Sequence, residues 1–202
     1  MTAPTGTGDA APASDLPLFP LRTVLFPGGL LPLRIFEPRY VDMIGRCMRE
    51  GSPFGVLLIV DGAETGDVAQ LAAVGSSARI VDFETLQDGL LGILCRGEQR
   101  FRLLQQRTQH DGLHVGQVRW LVEPRHTPLG DARRPLGTVL RRVIGEYGDL
   151  GRHLQPDFGD AGWVANRFAE LLPLSRTVQQ QLLEIDDPAA RLDALAPMIE
   201  AR

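Results

Sequence analysis

The chain has 202 residues, 44% of them hydrophobic and 23% charged, with a net charge of −4 at pH 7. These values suit one globular domain or two small ones, and the negative balance with only 6% aromatics argues against nucleic acid, which is met by excess positive charge and stacking rings. There is no lysine, so a P-loop, a Ser–Lys dyad and a lysine Schiff base are excluded for this polypeptide.

Residues 1–15, "MTAPTGTGDAAPASD", lack the basic and apolar regions of a signal peptide and read as a disordered tail. "LPLFPL" (16–21) and "LLPLRIF" (30–36) are short strands whose prolines place them at sheet edges, joined by a Pro27-Gly28-Gly29 turn. At Pro38 the period changes to that of a helix. Tyr40, Val41, Ile44, Cys47 and Met48 form its apolar face, Pro38 suits its first position and Gly51 ends it. "FGVLLIV" (54–60) reads as a buried strand. Residues 69–86 read as one long strand with a weak point, a bulge, at Gly75. Two further strands, 90–97 and 99–106, follow the Asp88-Gly89 turn, and Asp111-Gly112 turns the chain into a last strand over 113–123.

Residues 124–135, rich in proline, glycine and arginine, read as a linker. Beyond it the period is helical. One stripe runs through Leu136, Val139, Leu140, Val143, Ile144 and Tyr147. A second, capped by Asp160, holds Val164, Phe168, Leu171 and Leu172. A third, capped by Ser175, holds Val178, Leu182 and Ile185. The last begins at Asp187-Pro188 and carries Leu192, Leu195 and Ile199. No apolar run approaches the roughly 18 residues that span a membrane, and two cysteines, Cys47 and Cys95, fit a reducing compartment, so a cytoplasmic location is expected.

Reactive groups are few. His110 and His114 stand four apart, but the intervening Asp-Gly turn takes them off a helix, so a metal site is not expected. His126 and His153 fall in loops without evident partners. Ser76 and Ser77 lack the nucleophile-elbow pattern, and both cysteines sit in apolar segments that raise a thiol's pKa. Asp61, Glu64 and Asp67 do not match a calcium loop, and Asp186-Asp187 reads as a helix cap. Arg96, Arg100, Arg102 and Arg107 read as a solvated strand face. No catalytic residue, metal ligand or cofactor site is predicted.

"LPLFPLRTVLFPGGLLPLRIFEPRY", "VGSSARIVDFETLQDGLLGILCRGEQRFRLL" and "LLPLSRTVQQQLLEIDDPAARLDAL" together resemble, in order and spacing, the N-terminal substrate-binding domain of ATP-dependent Lon proteases. The resemblance covers nearly everything from Leu16 to Met198, and Gln179 stands where that family often has lysine. It implies an α+β fold: a PUA-like, mostly antiparallel β pseudo-barrel over 16–123, the linker 124–135, and a helical bundle over 136–202. It implies a non-catalytic domain that binds unfolded protein or peptide, or a protease or chaperone partner, as an adaptor in protein quality control. The ATPase and protease of the full-length enzyme are expected to be absent, as is the zinc module of cereblon-like proteins. The expected contacts are Phe26, in the Phe-Pro-Gly-Gly loop, and Leu86, at a hairpin tip, both apolar residues at turns. The alternatives are an RNA-binding PUA-like module, motivated by Arg100 and Arg102, and a hydrolase using His110, His114 or a loop carboxylate.

Overall fold

The computed structural model describes residues 13–62, 70–124 and 126–200. Seven strands come first, with one helix among them: β1 (Ser14–Leu21), β2 (Leu30–Ile35), α1 (Pro38–Glu50), β3 (Phe54–Asp61), β4 (Gln70–Leu71), β5 (Val74–Thr85), β6 (Leu91–Thr108) and β7 (His114–Trp120). Then follow α2 (Arg134–Gly145), a 3-10 segment (Gly148–His153), α3 (Ala161–Leu171), α4 (Arg176–Glu184) and α5 (Pro188–Glu200). The fold is α+β with a mostly antiparallel sheet.

The sheet closes on itself. β1, β7, β6, β5 and β3 pair in sequence, all antiparallel, and β3 returns to β1 in a parallel pairing of Leu18–Leu21 with Gly55–Leu58. β2 lies outside the ring on Leu91–Arg96 of β6, and β4 extends β3. Pro32 lies in an edge strand, as expected. Pro17 and Pro20 do not, because β1 changes partner at Leu18, pairing with β7 before it and β3 after it. Each of these prolines has a ladder on one side only, so its missing donor is tolerated.

The expected long strand divides at Ala72-Ala73, and the two strands expected over 90–106 are one of 18 residues. Gly75 is no bulge. It pairs with Phe101, and its lack of a side chain admits the Val56 carbonyl, 2.3 Å from where a Cβ would stand. The register shifts instead between Ser76 and Ala78 and between Ile80 and Asp82. Ser14 and Asp15, expected in the tail, pair with Val118 and Gln117, while residues 1–12 lie outside the described residues.

α1 buries Tyr40, Met43, Ile44 and Cys47 against the outer face of the sheet, with Phe19 stacked on Tyr40 at 4.0 Å between ring centroids. Val41 and Met48, expected on that face, are exposed, because the true i, i+3, i+4, i+7 set starts at Tyr40. Leu16, Leu18, Leu57, Phe101 and Val118 form a second cluster. The third joins the helices to the ring through Val24, Phe26, Leu58 and Val74. At its centre α3, capped by Asp160, is buried on nearly every side from Ala161 to Ala169, yet Leu171 is exposed. α2 buries only Gly137, Leu140 and Ile144 fully, and Val139 and Tyr147 face outward. Ser175 caps α4, and Asp187 accepts from the Ala189 amide at the start of α5. Among the described residues no helix is long and apolar enough to cross a membrane.

Candidate functional site

The two expected contact residues part company. Phe26 is 0% exposed, so it offers nothing to a partner. Its turn folds inward. Gly28 N donates to Gly97 O (2.8 Å), Gly97 N donates to Gly29 O (2.9 Å), and Pro27 O accepts from Asn166 and Arg167 of α3. The turn is an anchor between ring and helices, not an exposed loop. Gly97 is obligatory there, since a Cβ would stand 2.2 Å from Phe26 O.

Leu86 lies elsewhere, at the β5–β6 hairpin, and half-buried. Its side chain folds over Gly92, where an added Cβ would meet it at 2.9 Å. There it lines a groove of about 630 Å³ together with Pro32, Leu94 and Leu150. The strands β2, β6 and β5 supply the floor: Pro32, Leu94 and Asp82 form one cross-strand row, and Arg34, Gly92 and Glu84 the next. The 3-10 segment supplies the wall. Arg96 donates to His153 O (3.4 Å), and Arg152 and His153 approach Asp82 at 3.4 and 3.3 Å, which holds the wall over the first row. Leu150 remains 52% exposed and Phe83, also lining the groove, 59%. Large apolar side chains gathered so openly in one concavity are a feature that binding surfaces share. Leu150 carried a faint signal in the sequence, an apolar residue in a polar Gly-Asp-Leu-Gly loop; its approach to the hairpin carried none.

Of the four strand arginines Arg102 and Arg107 are exposed and Arg96 is half-buried, but Arg100 does not join a solvated face. Arg100 is 0% exposed. It pairs with Glu123 and with Asp186 (3.2 Å) and donates to Leu183 O (2.7 Å) and Ile185 O (3.1 Å) at the end of α4. Arg191, also buried, donates to Leu182 O, Ile185 O and Asn166 Oδ1. Burial, and then the neighbouring Arg100, lower its pKa to about 10, so it stays charged at neutral pH. Arg100 thus holds the α4–α5 turn to the ring, Arg191 ties the same turn to α5 and to Asn166 of α3, and Asp186 is an ion-pair partner and not a cap. Gln180 adds a bond to Val74 O (3.0 Å).

The histidines do not converge. His110 is exposed at the hairpin tip, while His114 is buried in β7 with Nδ1 3.1 Å from Thr108 Oγ1. His126 and His153, expected to lack partners, have them: Asp157 (3.3 Å) with Asp160 (3.6 Å), and Asp82. No group of three or more His, Cys, Asp or Glu placed to hold a metal occurs among the described residues. Ser76 donates to Leu25 O (2.6 Å) and Ser77 to Gln99 O (3.2 Å), so both hydroxyls are engaged in the fold. Cys47 and Cys95 are buried and unbridged; burial raises both thiols, Cys95 to about 12. Of the acidic loop only Asp61 falls within the described residues.

One polar centre has no counterpart in the sequence reading. Arg167 on α3 donates to Glu170 (3.0 Å) and lies almost wholly buried beside the Phe26–Gly29 turn. Burial raises the Glu170 carboxyl to about 7, against the opposing pull of Arg167 and the Phe26 amide. Burial likewise lowers Arg167.

Residues 15–201 match the family model described as the ATP-dependent protease La (LON) substrate-binding domain. In structure the chain is similar to a Lon N-terminal domain protein from Xanthomonas campestris (41% identity, TM-score 0.75, 91% of this chain and 98% of that one). The N-terminal domain of a Mycobacterium avium complex Lon protease shares the fold at 18% identity (TM-score 0.65, 90% and 96% covered). In sequence it is 27% identical over 201 residues to the Lon protease of Xanthomonas oryzae pv. oryzae, covering 92% of this chain and 23% of that protein. It is 32% identical over 113 residues to protein cereblon of Xenopus tropicalis, covering 54% and 24%. The chain thus spans about a quarter of the length of these curated relatives. It belongs to the family of Lon substrate-binding domains.

Proposed function

We propose that this chain recognises protein substrates by taking up an apolar, extended segment in the groove between the β5–β6 hairpin and the 3-10 segment. The family supports substrate recognition in general. The groove supports this place for it: Pro32, Leu86, Leu94 and Leu150 line it, and Leu150 and Phe83 are more than half exposed although apolar. Beside it, among the described residues, β2 pairs with β6 alone, and a strand edge of this kind is where an extended peptide can add. The closed five-strand ring is read as a PUA-like barrel serving as scaffold. The chain acts without catalysis of its own, as a cytoplasmic adaptor that holds a segment for a protease or chaperone. RNA binding is the weaker reading, because Arg100 is spent on the α4–α5 turn.

The test is fluorescence anisotropy with labelled, permanently unfolded peptides. Binding that is weakened about tenfold or more in Leu150→Asp, with the circular dichroism spectrum and unfolding midpoint retained, supports the reading. Unchanged affinity in that variant places recognition elsewhere.

A further inference from the structure

The groove sets apolar Pro32, Leu86, Leu94 and Leu150 among charged side chains, and those charges are unbalanced. Two of its cations are already engaged, Arg34 with Asp88 at the hairpin tip and Arg152 with Asp82. Two carboxylates, Glu84 and Asp149, line the same groove from opposite sides, one on β5 and one on the 3-10 wall, and neither makes an ion pair or accepts a hydrogen bond among the described residues. Among the lining residues three carboxylates, Asp82, Glu84 and Asp149, therefore face two guanidiniums, Arg34 and Arg152, and the excess negative charge lies beside Pro32, Leu94 and Leu150. Glu84 also shares its cross-strand row with Arg34 and Gly92, and the side chains of Leu86 and Glu84 lie over Gly92, where an added Cβ would meet them at 2.9 and 3.3 Å.

We infer that the groove selects segments in which apolar side chains are flanked by lysine or arginine, with Glu84 and Asp149 receiving the cations. This rests on the proposed place of substrate recognition and names the chemistry of its substrate. A segment flanked by acids would meet two unpaired carboxylates at close range, which disfavours it by repulsion. One flanked by lysine gains two partly exposed ion pairs, a modest effect that salt screens.

The experiment uses the full chain and three labelled peptides with one apolar core, flanked by lysine, serine or aspartate. Anisotropy titrations are run at low and at high salt. The expected result is that the lysine-flanked peptide binds roughly three- to tenfold more tightly than the serine-flanked one, the aspartate-flanked one most weakly. The double variant Glu84→Gln with Asp149→Asn should bring the three together, as should high salt. Equal affinities in the parent chain, with binding lost in Leu150→Asp, overturn the charge selection and leave the apolar site standing. A lysine preference that survives the double variant also overturns it, since the preference then reflects the net charge of the chain. No binding of any of the three removes both the selection and the site.

Discussion

Replacing Arg100 separates a buried structural cation from an exposed one. On a solvated strand face Arg100→Ala would change stability by no more than about 0.5 kcal/mol. In the structure the guanidinium is wholly buried and supplies the donors for Leu183 O and one of two for Ile185 O, besides its pairing with Glu123. Removing it orphans the Leu183 carbonyl, at about 1–3 kcal/mol for a buried unsatisfied group, and leaves Glu123 without its counter-ion. Ile185 O keeps Arg191 at 2.6 Å, and Glu123 can rehydrate through its exposed quarter, so neither adds its full cost. With the cavity left by the side chain, the loss amounts to about 3–5 kcal/mol, the range for breaking one side of a buried pair. Arg100→Met fills the space and sheds the desolvation cost of the cation, so it should recover part of that loss. The assay is urea unfolding followed by the fluorescence of Trp120 and Trp163, comparing midpoints at constant slope. A loss below about 1 kcal/mol for the alanine variant would refute the argument that this arginine holds the α4–α5 turn to the ring.

Three further outcomes are expected. Glu170 has its pKa raised in the folded state, from 4.5 to about 7, so the native protein binds more protons than the unfolded chain between those values and its stability falls as pH rises through them. Glu170→Gln should therefore gain on the parent chain between about pH 4.5 and 7 and hold that gain above, by up to roughly 3 kcal/mol, less because 27% of the side chain stays accessible; a pH-independent difference in denaturation midpoint would contradict this. Cys47 and Cys95 should resist a thiol reagent at pH 8 in the native protein and react together on unfolding, and rapid native labelling would contradict their burial. Gly97→Ala should lower the melting temperature markedly, because the Cβ would press on backbone at 2.2 Å and break the paired bonds to Gly28 and Gly29; differential scanning calorimetry reads it, and an unchanged melting temperature would be the adverse result.

Local features were legible before any coordinates. Pro38 and Gly51 bracket α1, Asp160 and Ser175 cap their helices, and Asp-Gly pairs turn the two hairpins, because each depends on a few neighbouring residues and backbone preferences. Readings that needed a neighbour distant in sequence went astray. Gly75 looked like a bulge because nothing near it announces the Val56 carbonyl. Arg100 looked solvated because its carbonyl acceptors, Leu183 O and Ile185 O, lie more than eighty residues away. Phe26 looked like a loop tip because the inward path of its turn is set by Gly97 and α3.

The order of motifs, the absence of lysine and the switch from strand to helical period were determined by the sequence itself, and they specify the family and exclude whole chemistries. Tertiary structure alone decided which apolar residues remain at the surface. Phe26 and Leu86 have the same local signature, an apolar side chain beside glycine in a turn, yet one is sealed under α3 and the other lines an open groove with Leu150 from a segment some sixty residues away. Exposure is a property of what packs on top of a residue, and that is settled by long-range contacts which no local pattern encodes.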